Sequence, residues 1–182
     1  MDASKPASVL MTVAGVALHP THEVPTVLLR GDRDPRIVLP IAIGSAEAAA
    51  IALGLTSTRL PRPMTHDLVF NLVTTLKHRV ERVEITRLDE GVFYAQVALV
   101  REDGQREYID ARPSDGIAMA VRFKAPVYVH EAVLAEAGSL AADDDEIVAE
   151  EASTGSRPLP PSFGAEVSLE DLDPELFGKW ES

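Results

Sequence analysis

Three short stretches of this chain combine the residue types that chemistry at a phosphate or a metal requires. The first, Pro61-Arg62-Pro63-Met64-Thr65-His66-Asp67, is a proline-stiffened loop that delivers the start of a helix. Backbone N–H groups and the positive end of a helix dipole meet at such a point, which suits a phosphate or carboxylate held by Arg62 and Thr65. His66 and Asp67 there could handle a proton or an oxygen-ligated cation. The second, Asp110-Ala111-Arg112-Pro113-Ser114-Asp115, repeats the plan of strand end, proline-locked turn and helix start. Arg112 could clamp a phosphate in bidentate fashion with Ser114 beside it, and its acids are spaced closely enough to share a divalent cation. The third is Glu47, an acid in the first turn of an otherwise apolar helix, where an unpaired charge would be costly.

Each stretch also has a structural reading. Thr65 and Ser114 can cap helices, while Glu47, Asp67 and Asp115 can complement helix dipoles. Arg112 can pair with a neighbouring acid, and His66 can bond locally. If Glu47, Asp67 and Asp115 instead converge, they form an acidic cluster for Mg²⁺ or Mn²⁺, able to activate water and neutralise a phosphodiester. His19, His22, His78 and His130 share no ligand spacing, and no serine-hydrolase elbow, Walker loop, dinucleotide fingerprint or H-E-x-x-H motif occurs.

The elements that must position these residues are read from periodicity. Val9, Met11 and Val13, then Val27–Arg30, then Ile37–Ile43 predict three strands, the last two joined by a turn through Gly31-Asp32-Arg33-Asp34-Pro35. Ser45 is expected to cap an Ala-rich helix through about Leu55, and Thr65 a second helix running to about His78. In the second helix Leu68, Leu72, Val73 and Leu76 recur at three- and four-residue steps and give one apolar face. A meander follows, from Val83–Leu88 through Asp89-Glu90-Gly91 to Val92–Val100, and through Glu102-Asp103-Gly104 to Tyr108–Ala111. Ser114 is expected to cap a third helix with Ile117, Met119 and Phe123, before a strand at Pro126–Val129 and a helix closed by Gly138. Hairpins with interspersed helices predict an α+β class, a single domain with a largely antiparallel sheet and about four helices. A faint echo at an offset of 68 residues sets Ile41, Glu47, Ala50 and Ala52 over Ile109, Asp115, Ala118 and Ala120, as a strand-turn-helix duplication would. Phe93, Tyr94 and Tyr128 sit at strand positions and are read as core residues rather than base-stacking platforms.

Composition limits the chemistry further. A chain of 182 residues carries one domain with appendages, and the absence of cysteine excludes disulfides, thiolate zinc sites and a Cys nucleophile. The net charge of −12 is uneven: residues 1–140 hold 15 basic and 17 acidic residues, residues 141–182 only 2 and 12. The body is therefore almost neutral and has no basic footprint of the kind that dominates phosphate-backbone binding. No apolar run is long enough to span a membrane, and no secretion signal is read, so a cytoplasmic location is expected. Residues 1–140 are taken as the domain, 141–166 as an acidic, proline-rich flexible linker, and 167–182 as a short amphipathic segment. Leu169, Leu172, Leu176, Phe177 and Trp180 are the anchors of that last segment.

In series, Leu39–Ala48, Arg62–Leu68, Phe93-Tyr94-Ala95 and Asp110–Asp115 resemble the bifunctional nuclease domain family in both order and spacing, over about residues 8–138. The resemblance implies a compact α+β domain, often a homodimer, with nuclease activity on DNA and RNA. It carries onto Glu47, His66, Asp67, Arg112, Ser114 and Asp115. Two positions depart from the family pattern: Ala42 stands where Trp is frequent, and Gly116 where Ala commonly follows Ser-Asp, a change expected to loosen the helix start.

Two functions follow, from different classes. A metal-dependent nuclease would use Glu47, Asp67 and Asp115 for the cation, His66 for a proton and Arg112 for transition-state charge, and its polar motifs would meet in one cleft. A non-catalytic, oligomeric binding or regulatory module recruiting a protein through its tail would instead scatter these acids or neutralise each with an arginine.

Overall fold

The computed structural model describes residues 7–18, 24–58 and 60–140. Its strands and helices run β1 (Ser8–Leu18), β2 (Pro25–Gly31), β3 (Ile37–Ala42), α1 (Ser45–Leu55), α2 (Thr65–Thr75), β4 (His78–Asp89), β5 (Val92–Arg101), β6 (Arg106–Ala111), α3 (Pro113–Phe123), β7 (Val127–His130), α4 (Glu131–Ala137) and β8 (Ser139–Leu140). The strands form one sheet in the order β6-β5-β4-β7-β1-β2-β3-β8. Every neighbouring pair is antiparallel except β4 and β7, which run parallel. The domain is α+β, as the hairpin signals predict.

Alternation within the strands decides where the core lies. Val83 pairs with both Val97 and Val127, and Val127 with Met11, so these side chains share one face of the sheet. They are buried in a single cluster with Ile51 of α1, Ile117 of α3 and Val133 of α4. Each such burial contributes about 1.5–3 kcal/mol against the entropy of ordering the chain. Gly91 and Gly104 supply the positive φ that the two hairpin turns of the β4-β5-β6 meander require.

Several elements differ from the sequence expectation. Strand β4 begins at His78 rather than Val83, because a bulge between Val80 and Arg82 breaks the period of two and lets Val80 and Val83 both face the core. Helix α2 stops at Thr75 and Lys77 takes a positive φ, so the helix does not reach His78. Strand β8, two residues beside β3, carries no sequence signal.

The apolar face expected on α2 is formed but is not buried by the described residues. Leu68, Leu72 and Leu76 are 51%, 52% and 67% exposed, whereas Phe70 stacks on Phe123 of α3 at 4.5 Å and Val73 packs on the core. Ser45, Thr65 and Ser114 are not N-caps. Gly44, Met64 and Arg112 hold those positions in extended conformation, and the three hydroxyl residues fall inside their helices. The expected linker 141–166, the segment 167–182, and His19 and His22 lie outside the described residues. Among the described residues no helix is long and apolar enough to cross a membrane.

Candidate functional site

The starts of three helices meet around an open cleft of about 440 Å³, within the range of small-ligand sites. Helix α1 contributes Ala46, Glu47 and Ala50; α2 and its lead-in contribute Met64, Thr65, His66 and Val69; α3 and its N-cap contribute Arg112, Asp115 and Met119. Local sequence explains each delivery. Gly44 at the N-cap of α1 has no Cβ, and the Glu47 carboxylate folds back into the space a Cβ would occupy. Pro113 at the first turn of α3 holds the preceding Arg112 extended, at φ −68° and ψ 146°, which hangs its side chain over Asp115 three residues on.

Arg112 is the hub. Its Nε donates to Asp115 Oδ2 at 2.7 Å and its Nη2 to Asp115 Oδ1 at 3.1 Å, while Nη2 also lies 2.9 Å from Glu47 Oε1. His66 Nε2 lies 3.2 Å from Asp115 Oδ1. A bond to an ionised carboxylate requires the hydrogen on Nε2, which leaves the Nδ1 lone pair as the basic atom of a neutral ring. The two acids that the 68-residue echo equates, Glu47 and Asp115, thus converge on one guanidinium.

Asp67 belongs to a different set of bonds. Its Oδ1 accepts from Arg122 Nε at 2.7 Å and its Oδ2 from the Met64 backbone N–H at 3.0 Å. Arg62 is exposed outside the cleft lining, and Ser114 is buried in the first turn of α3 rather than facing the cleft. The cleft therefore brings together Glu47, Thr65, His66, Arg112 and Asp115, but not Arg62, Asp67 or Ser114.

Among the described residues no group of three or more His, Asp or Glu side chains is placed to hold a metal ion. Glu47 and Asp115 face Arg112, and Asp67 faces Arg122, so the donor set as arranged does not fit a divalent cation.

Electrostatics follow the bonds. The Arg122 hydrogen bond holds the Asp67 carboxyl below its ordinary range, with burial opposing and the Met64 N–H assisting. Burial pushes Asp115 up, yet the bonds from Arg112 and His66 outweigh it and its net shift is downward. Asp115 in turn raises Arg112 further, with Glu47 adding to the effect. Carboxyls lowered in the folded state give stability that is complete above the unfolded pKa and is lost as pH falls through the folded values. Unfolding free energy is accordingly expected to fall as the pH drops through and below the ordinary carboxylate range, and Asp67→Asn to flatten that slope. Urea denaturation at a series of pH values checks this; an unchanged slope in Asp67→Asn would contradict the assignment.

Arg122 is the residue that sequence reading overlooks. It lies in the last turn of α3, where a cation is ordinarily a dipole complement, yet its side chain is only 8% exposed. The signal in the sequence is a charge set between apolar residues in the stretch Ile117–Phe123, the same kind of signal that singles out Glu47.

The bifunctional nuclease domain family matches residues 27–141, and the chain belongs to that family. The uncharacterized protein Rv1829 of Mycobacterium tuberculosis is 44% identical over 148 residues, covering 80% of this chain and 84% of that one. Bifunctional nuclease 1 of Arabidopsis thaliana is 27% identical over 109 residues, covering 59% of this chain and 34% of the plant protein. Bifunctional nuclease 2 of Oryza sativa subsp. japonica is 26% identical over 111 residues, again with 34% of its length matched.

Proposed function

We propose that this protein is a nuclease that hydrolyses phosphodiester bonds of DNA or RNA at the cleft between α1, α2 and α3. The supporting observation is the convergence of Glu47, His66, Arg112 and Asp115 from three helix starts onto one open surface. Arg112 spends Nε and Nη2 on the two carboxylates, and none of its bonds to described residues uses Nη1. Held by that pair of acids, the guanidinium offers the Nη1 edge to a phosphate oxygen and meets the charge that builds in the transition state. His66, oriented through Nε2 by Asp115, takes the proton of the attacking water at Nδ1. Thr65 adds a hydroxyl to the cleft wall.

Mg²⁺ or Mn²⁺ would add charge neutralisation at the phosphate if the cleft took one up. Binding one at this cleft would first require Arg112 to release Glu47 and Asp115. A homodimer or higher homo-oligomer also belongs to the proposal; the exposed Leu68, Leu72 and Leu76 are apolar surface that a second copy would cover. A monomer mass by light scattering would remove that part.

A second reading, a non-catalytic binding module, is favoured by one specific observation: each of Glu47, Asp67 and Asp115 is met by an arginine. Cleavage of labelled single- and double-stranded DNA and RNA by repurified protein, with Mg²⁺, Mn²⁺ or EDTA, separates the two. Activity that coelutes with the chain supports the nuclease; none under any condition leaves the binding module, with the C-terminal segment as the place to seek a protein partner.

A further inference from the structure

The helices that carry the site touch it at their N-terminal ends, and something must fix their mutual rotation. One buried side chain bonds to all three. Arg122 of α3 donates from Nε to Asp67 of α2, and from Nη1 both to Ala50 O of α1 and to Ala118 O of its own helix, the carbonyls at 3.0 Å each. The guanidinium thus sits on the seam between α1 and α3. Gly54 leaves room for it: a Cβ there would lie 3.2 Å from Arg122 Nη1 and 3.1 Å from Val121 Cγ1. Asp67 directly follows His66, so the bond that anchors Asp67 also sets where the His66 ring emerges.

We propose that Arg122 is the positioning residue of the cleft, locking α2 against α1 and α3 so that His66 reaches Asp115, and that Asp67 serves the site through Arg122. Helix α2 buries none of its residues fully, and its packing on α3 relies on half-buried groups such as Phe70. A planar guanidinium satisfies three acceptors in fixed directions, whereas a lysine ammonium on a flexible stem does not hold the same fork.

The inference rests on the proposed function only for its catalytic consequence; the geometry has its own readout. Long-range ¹H–¹⁵N spectra of the imidazole rings, assigned with His66→Ala, report which His66 nitrogen carries the hydrogen. The folded chain is expected to show the Nε2–H form, and Asp115→Ala, which removes the acceptor, gives the reference for a broken contact. Arg122→Gln is expected to move His66 toward that reference and to lower kcat for cleavage about ten- to hundredfold with KM little changed. Arg122→Lys should recover part of both. Ile51→Val, a destabilised core variant in α1, should leave the His66 spectrum unchanged. Should Arg122→Gln fail to fold, Gly54→Ala presses on the guanidinium without altering a polar group and is expected to shift His66 in the same direction. An unchanged His66 spectrum in folded Arg122→Gln, or in Gly54→Ala where the former does not fold, overturns the proposal. A shifted spectrum in a chain that cleaves nothing upholds the positioning role and removes the nuclease reading.

Discussion

Replacing Arg112 by methionine is expected to lower phosphodiester cleavage by about 10²–10³-fold, the scale on which one preorganised donor to a developing anion acts. The fold should survive, because the Arg112 side chain is 65% exposed and ion pairs made by exposed side chains add little to stability. The loss at the site has two sources. The Nη1 edge offered to phosphate disappears, and Glu47 and Asp115 are left as neighbouring negative charges without the cation between them, which repels an incoming phosphate. Arg112→Lys separates the two: the positive charge returns, but a single ammonium cannot span Glu47, both Asp115 oxygens and a substrate oxygen. It is expected to recover charge neutralisation, seen in KM, more than kcat. Steady-state cleavage kinetics beside a thermal melt decide the matter; full activity in Arg112→Met would place the chemistry elsewhere.

The second large effect is on stability. Gly116→Val is expected to cost about 3 kcal/mol or more, combining overpacking with a β-branched residue inside a helix. A Cβ at Gly116 would lie 2.9 Å from Val83 Cγ1, and Val83 is fully buried in β4 with no room to turn aside. Gly116→Ala sets the same collision against about 1 kcal/mol of helix propensity. Gly116 was expected to loosen the start of α3; instead it lets α3 approach the sheet closely, which carries Arg112 and Asp115 to the cleft. Urea unfolding of both variants checks this, and a Gly116→Val protein as stable as the parent would mean that α3 does not sit this close to β4.

The parts of the fold legible in the sequence were those in which one local rule governs. Hairpin glycines at 91 and 104, the compact apolar runs Val27–Leu29 and Ile37–Ile43, and Pro113 before a helix each determine their surroundings. Where two rules compete, reading fails. The bulge in β4 gives Val80 and Val83 a helix-like spacing in an extended strand, and α2 has apolar residues on more than one side, of which tertiary packing covers only part. The site shows the same division. Glu47 and Asp115 stand out as first-turn acids on apolar helices, and their shared partner Arg112 lies three residues from one of them. Asp67 looks identical by sequence. What separates it from Asp115 is Arg122, 55 positions further along the chain, a contact that only the packing of α2 on α3 creates.

Whether His66 and Asp115 act as one catalytic unit is decided by the initial rate of cleavage of labelled single-stranded DNA and RNA by the full chain and by His66→Ala and Asp115→Asn, each shown to be folded and repurified to one peak. A shared site requires both variants to lose about 10²-fold or more, and the double variant to lose little beyond the larger single loss, because residues acting as one unit are not additive. Parental rates in both variants, or losses that multiply, would contradict a His66-Asp115 pair at the heart of the cleft.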